Sequence, residues 1–167
     1  VRRLRPADGP VGGGTLLIVQ GGPFDERAAA VGSMFCRFGA DSYSPIRRIS
    51  NDAIECISPA HVAGHVQVEV SLNGLDYTTD NFTFTYLAPT IVSVHPALGP
   101  ERGGTVVAIL GTNMAHGSLC RFGTFATPAT WLSARQMECV APPTSSGVNT
   151  IALVAKAGSA AVFTDEH

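Results

Sequence analysis

Four cysteines carry most of the chemistry in this 167-residue chain, and they fall in two matching settings. Cys36-Arg37-Phe38-Gly39 returns as Cys120-Arg121-Phe122-Gly123. In each copy a second cysteine follows about twenty residues later, within Glu55-Cys56-Ile57-Ser58-Pro59 and Glu138-Cys139-Val140-Ala141-Pro142. Four thiols can pair in three ways, and the repetition favours Cys36–Cys56 with Cys120–Cys139. Closing a loop of that length stabilises a small domain by roughly 3 kcal/mol in the chain-entropy account. The competing reading is four reduced, buried thiols, as in a cytosolic protein. A zinc site drawing on all four is disfavoured, because the close Cys-x-x-Cys pairs of such sites are missing.

The remaining polar side chains make weaker sets. Asn81-Phe82-Thr83 is an N-glycosylation acceptor sequence. If Phe82 faces inward on a strand, Asn81 points out. His61 and His65 are four apart but flank Gly64 in a turn, so solvated loop histidines are the plain reading and a metal pair the sharper one. His95 aligns with Arg5 in the other copy, which argues against a required ligand. Asp76 and Asp80 offer oxygen atoms to a calcium ion, against an ordinary solvated hairpin. Trp131, the sole tryptophan, reads as a core or disulfide-packing ring rather than an exposed sugar platform. The sequence carries no Gly-x-Ser-x-Gly elbow, His-Glu-x-x-His, phosphate loop or dinucleotide fingerprint. The expectation is a chain that is not an enzyme and needs no metal or cofactor.

The elements that position these residues are set by the repeat. Gly9-Pro10 with Gly13-Gly14-Thr15 is answered by Gly99-Pro100 with Gly103-Gly104-Thr105, so three landmarks recur in one order. Such repetition at domain scale predicts two modules, over residues 1–88 and 89–167. Val1 to Pro6 aligns with Ile91 to Pro96, the opening strand of the second copy. The closing strand of the second copy is expected to be truncated or missing near Val162-Phe163-Thr164. The chain thus reads as a piece of a longer protein. Net charge is −2 and charged residues are 14%, which gives no basic face for nucleic acid. No apolar run reaches the ~18 residues that span a bilayer.

Short strands fill both copies. Thr15 to Val19 is apolar and followed by Gly21-Gly22. Met34 to Phe38 is a strand with either Phe35 or Cys36 inward. Val66, Val68, Val70 and Leu72 alternate with Gln67, Glu69 and Ser71, the period of a half-buried strand, and Asn73-Gly74 ends it with a two-residue hairpin signal. Phe82, Phe84 and Tyr86 alternate with threonines. In the second copy strands are expected at Val106–Leu110, Leu119–Phe122, Trp131–Val140 and Ile151–Ala155. Asp8-Gly9-Pro10 and Gly39–Pro45 read as turn and loop, Ile49–Ile57 as one polar-rich strand, and Ala28–Gly32 as at most a helical turn. Phe38 and Phe122 are expected to plug the ends of a sandwich. Many short strands with turn residues between them predict an all-β fold built from sandwiches.

The order of these landmarks resembles a known family. Pro-x-x-Gly-Pro-x-x-Gly-Gly-Thr, an apolar strand, Cys-x-Phe-Gly, Cys-x-x-Pro and Val-x-Val with Asn-Gly is similar to the IPT/TIG domain. That is the immunoglobulin-like, E-set type sandwich of plexins, Met-type receptors and some transcription factors. The resemblance covers nearly the whole chain as two tandem modules, and it implies the extracellular branch, with its paired cysteines. The Val-x-Val and Asn-Gly pair is clear only in the first copy.

The resemblance implies a non-enzymatic structural or adhesive segment of a larger extracellular or cell-surface protein. In that role two disulfide-tied modules act as spacer and protein-interaction units, with Pro89 stiffening the junction. A flagellar-surface or fibre-forming setting is one example. Expected partners are neighbouring modules and other proteins, by self-assembly or receptor-type adhesion. No nucleic acid is expected, and a membrane only through segments elsewhere. Two other classes remain as alternatives: an accessory carbohydrate-binding module of a secreted enzyme, which needs an exposed aromatic row, and a Rel-like DNA-binding segment, which needs reduced cysteines and basic loops.

Overall fold

Alternating apolar and polar residues bury one strand face and leave the other in water, and every described element of this chain is a strand. The computed structural model describes residues 1–24, 34–48, 50–154 and 163–165. The chain divides into two compact units, Val1–Gly9 with Gly13–Leu87 and Pro10–Gly12 with Ala88–His167. Both are immunoglobulin-like β-sandwiches.

The first module runs β1 (Arg3–Arg5), β2 (Asp8–Pro10), β3 (Leu16–Gln20), β4 (Phe35–Phe38), β5 (Ser42–Pro45), β6 (Arg47–Arg48), β7 (Ala53–Ile57), β8 (Gly64–Ser71) and β9 (Phe82–Leu87). One sheet has the order β1-β3-β7-β6 and the other β2-β9-β8-β4-β5. Leu17, Val19, Ile54 and Cys56 bury the inner face of the first sheet; Cys36, Phe38, Val68, Val70, Phe84 and Tyr86 bury that of the second. Each large side chain so enclosed contributes about 1.5–3 kcal/mol.

The second module runs β10 (Thr90–His95), β11 (Val106–Thr112), β12 (Leu119–Phe122), β13 (Phe125–Ser133), β14 (Gln136–Val140), β15 (Ile151–Val154) and β16 (Phe163–Asp165). Its strands are continuous in the order β10-β11-β14-β13-β12-β15-β16. The continuity comes from β13. Its first half pairs with β12 and its second half with β14, so one strand serves both layers. Val107, Ile109, Met114, Cys120, Phe122, Met137, Cys139 and Leu153 form the core.

The recurring landmarks have a common physical cause. Gly13 and Gly103 sit at φ +74° and +73°, and a Cβ on either would lie 2.6 Å from the carbonyl carbon of Pro59 or Pro142. Only glycine accepts both the left-handed backbone and that approach. Gly14 N–H then donates to the Ser58 carbonyl (2.8 Å), as Gly104 N–H does to that of Ala141 (2.9 Å). The Gly-Gly-Thr turn is thereby docked on the segment just after the second cysteine in each module.

The structure departs from several sequence expectations. Asp8-Gly9-Pro10 is a strand, because the missing Cβ of Gly9 leaves room for Thr15 and Phe84, whose atoms would lie within 2.1 and 2.9 Å of it. The stretch Gly39–Pro45 is a tight turn, with Gly39 at φ +66°, and then the return strand β5. Polar residues disguise that strand: Ser44 is buried and accepts a hydrogen bond from Ile57 N–H (3.2 Å). Trp131–Val140 is two strands, β13 and β14, which fold back across Ala134-Arg135. Arg47–Arg48 and Ala53–Ile57 are separate strands paired with each other, and Ile49 lies outside the described residues. Ala28–Gly32 and Ala155 also lie outside them. Asn73-Gly74 ends β8 without a two-residue hairpin: the Asn73 Oδ1 atom caps Leu75 and Asp76 N–H (2.9 and 2.8 Å), and the chain returns to β9 only at Phe82. In β4 it is Cys36 that faces the core, with Phe38, while Phe35 is half-buried.

Candidate functional site

The paired cysteines lie at the centre of each sandwich. Cys36 on β4 is bonded to Cys56 on β7, and Cys120 on β12 to Cys139 on β14, with Cα atoms 6.3 Å apart in both. Each bridge ties one layer to the other, and all four residues are buried. Among the described residues no thiol is free.

The first module carries a polar and aromatic cluster on the outer face of its second sheet. Strand period places Arg37 outward between the inward Cys36 and Phe38, and the register sets Tyr43 on one side of it and Glu69 on the other. The Arg37 Nε–H donates to Glu69 Oε2 (2.7 Å), and a second guanidinium nitrogen engages the same oxygen. The hydrogen bond to Glu69 is the largest cause holding the Arg37 guanidinium above its ordinary range. The same guanidinium lies 4.1 Å from the centre of the Tyr77 ring, a cation–π contact. Tyr43 stands beside Tyr77 with ring centres 6.4 Å apart and is half exposed. The cluster thus offers water-facing phenol groups and a preordered guanidinium–carboxylate pair. Its chemistry is that of contact.

Asn81 is exposed, at φ +57°, just before β9, and its Oδ1 accepts from Gln67 Nε2 (3.3 Å). Phe82 is half-buried. Histidines stand apart: His61 stacks on Tyr86 (4.9 Å), His65 meets the Thr85 hydroxyl (2.9 Å), and His95 ends β10. The Asp76 carboxylate accepts from Asn73 Nδ2 (2.8 Å), and Asp80 pairs with the Val1 amino group. Among the described residues no three of His, Cys, Asp and Glu gather as a metal site.

Two aromatic anchors complete the picture. Trp131 is half-buried against the second core; its Nε1–H donates to the Met114 carbonyl (2.9 Å), and His116 covers it at 3.9 Å. Tyr86, whose part the sequence did not single out, is fully enclosed and donates to the Pro59 carbonyl (2.9 Å). Burial pushes its phenol well up, and a hydrogen bond with Ser58 offsets part of that. The one signal available was its place at the end of the Phe82, Phe84, Tyr86 alternation. Phe38, the last residue of β4, is buried and edge-on to Phe84 (6.0 Å).

The profile of the family described as IPT/TIG domain matches residues 1–86 and again 89–165. The chain is 35% identical to mouse (Mus musculus) Plexin-B2 over 124 residues, covering 71% of this chain and 6% of that protein. It is 26% identical to zebrafish (Danio rerio) Plexin A3 over 155 residues, covering 88% of this chain and 8% of the relative. Among solved structures, the full extracellular region of Plexin A4 superposes with a TM-score of 0.50 at 18% identity, covering 97% of this chain and 17% of that one. The chain therefore spans less than a tenth of Plexin-B2 and of Plexin A3. It belongs to the IPT/TIG domain family, in two tandem copies.

Proposed function

We propose that this IPT/TIG pair is a non-enzymatic structural and protein-interaction segment of a larger cell-surface protein. The observation that carries the reading is that two bridged modules account for the chain while covering only 6% and 8% of its plexin relatives. The location is extracellular or at the cell surface, since persistent disulfides belong to oxidising compartments. The modules serve as spacers: only Ala88 and Pro89 separate β9 from β10, and Pro89 biases its neighbour to an extended form. The Ala88 carbonyl accepts from Asn113 Nδ2 (3.1 Å), which ties that residue to the second module.

The contact surface is the Arg37–Tyr77–Tyr43–Glu69 cluster, in which an exposed Tyr43 stands beside half-buried Tyr77 and Arg37, residue types enriched at interface centres. Neighbouring modules and other surface proteins are the partners this chemistry suits. Asn81, exposed and two positions before Thr83, carries an N-linked glycan in this reading. The carbohydrate-module alternative draws on the same two tyrosines, but Arg37 already covers one face of Tyr77.

The test is electron-microscopic or scattering analysis of the pair, together with binding of Arg37→Ala/Tyr43→Ala protein to neighbouring extracellular modules. One narrow distribution of inter-module angles and weakened module binding support the reading. Widely spread angles dispose of the spacer, and unchanged binding disposes of the cluster as contact surface.

A further inference from the structure

A half-buried strand presents polar side chains to water on its outer face. The β1-β3-β7 part of the first module breaks that pattern. Its inward residues are Leu4, Leu17, Val19, Ile54 and Cys56, which leaves Leu16, Ile18 and Ile57 on the opposite face. These three are 50%, 41% and 55% exposed. Leu16 stands directly opposite Ile57 in the ladder, and Ile18 is the next outward residue along β3. They form one apolar patch on a face that folding leaves in water.

Charges of opposite sign flank the patch. Ile18 pairs with Arg5 on β1 and with Glu55 on β7, so one row reads Arg5, Ile18, Glu55. Arg5 is exposed and Glu55 half-buried. The second module repeats the arrangement. Val106 stands opposite Val140, 54% and 51% exposed, and the adjacent outward row reads His95, Ala108, Glu138. Each module thus sets an aliphatic pair beside a row with a basic residue at one end and a glutamate at the other.

Such a face is complementary to itself. Turned over about a two-fold axis along β3, it brings Leu16 onto Leu16 and Ile18 onto Ile18 of another copy. The same turn sets Arg5 against Glu55 twice, once on each side of the axis. Arg47, which the register places beyond Glu55, falls outside the overlap. An axis across the strands would stack Arg5 on Arg5 and Glu55 on Glu55, which like charges oppose. The charges therefore select one of the two orientations.

We propose that the outer face of β1-β3-β7 is a self-association surface, and that its occupant is the same face of a second copy of this chain. Aligned sheets pack about 10 Å apart, close enough for the aliphatic side chains to interdigitate. Three short strands offer less than the about 800 Å² per partner of a standard interface. The dimer is accordingly weak by itself and is strengthened where several copies are held on one surface.

Sedimentation velocity of the full chain, from about 10 µM to about 1 mM, covers the range of a weak interface of this size. The average mass should climb toward that of two copies. Ile18→Glu should hold it at one copy, with the melting temperature unmoved. Arg5→Glu and Glu55→Arg should each weaken association by about tenfold or more, since like charges then meet twice. The double variant Arg5→Glu/Glu55→Arg re-forms both pairs and should return association to within about threefold of the parent. A chain that stays single up to about 1 mM overturns the proposal. So does a dimer that tolerates Ile18→Glu, or one that the double charge variant fails to restore. Loss of association in the Arg37→Ala/Tyr43→Ala protein would move the contact to the other sheet and overturn it as well.

Discussion

The two modules share a bridge between layers, a Gly-Gly-Thr turn docked after the second cysteine, and the pairing of the strand that carries the first. They differ on the side that β9 closes. In the first module Phe84 and Tyr86 fill the space over Phe38, which is wholly enclosed; in the second the matching Phe122 is 5% exposed and borders a cleft of about 580 Å³. They differ also at the layer crossing. The first module breaks its strand between β5 and β6, whereas β13 runs through without interruption. The same landmarks therefore support two finishes. The bridge and turn recur in both, and the path of the chain between the layers differs.

The residue types make the comparison measurable, since all three tyrosines lie in the first module and the only tryptophan in the second. The largest effect is expected from Phe84→Ala. It should destabilise the first module by about 3–5 kcal/mol, the cost of truncating a buried aromatic, and leave the Trp131 melt unmoved. A matching loss in the second module would break the claim that each has its own core.

Removing a bridge comes next. Cys120→Ala/Cys139→Ala and Cys36→Ala/Cys56→Ala should each cost about 2–5 kcal/mol. Each loss should fall on the module that carries the bridge and leave the other in place; circular dichroism and Trp131 fluorescence separate the two. A loss in both modules from either pair would mean that the bridges do not act within single modules.

Tyr86→Phe is a smaller change. It removes the hydrogen bond to the Pro59 carbonyl and should cost about 1 kcal/mol, read by denaturant midpoint. The same phenol gives an alkaline signature. Its folded-state value is raised above the ordinary 10.0, so its contribution is complete below pH 10 and is lost progressively as pH rises above that value. Melting of the first module should fall in that window more steeply in the parent than in Tyr86→Phe. Smallest of all, Glu69→Gln should lower melting of the first module only slightly and leave the second unchanged, because the Arg37–Glu69 pair is half-buried rather than enclosed and an amide oxygen can still accept from the guanidinium. A large loss there would recast the cluster as a structural tie.

Much of the architecture was legible in the chain. Period-two alternation located β8 and β9, and the repeated Cys-Arg-Phe-Gly announced two like modules. The illegible parts have physical reasons. Strand β5 hides because Ser44 meets its burial with a hydrogen bond instead of an apolar side chain, and β2 hides because Gly9 is there for closeness rather than for a turn. Trp131–Val140 looked like one strand because Ala134-Arg135 turns without glycine or proline.

The candidate contact surface was less legible still. Arg37, Tyr43, Glu69 and Tyr77 are scattered over forty positions, and only the β5-β4-β8 register sets the first three side by side. Local pattern and internal repetition are properties of the chain alone, so the sequence by itself determined the sandwich class and the number of modules. Which side chains meet across strands depends on register and on what the closing strand covers. Those are long-range pairings that exist only once the sheets have formed, so the tertiary structure alone decided the cluster and the Tyr86 anchor.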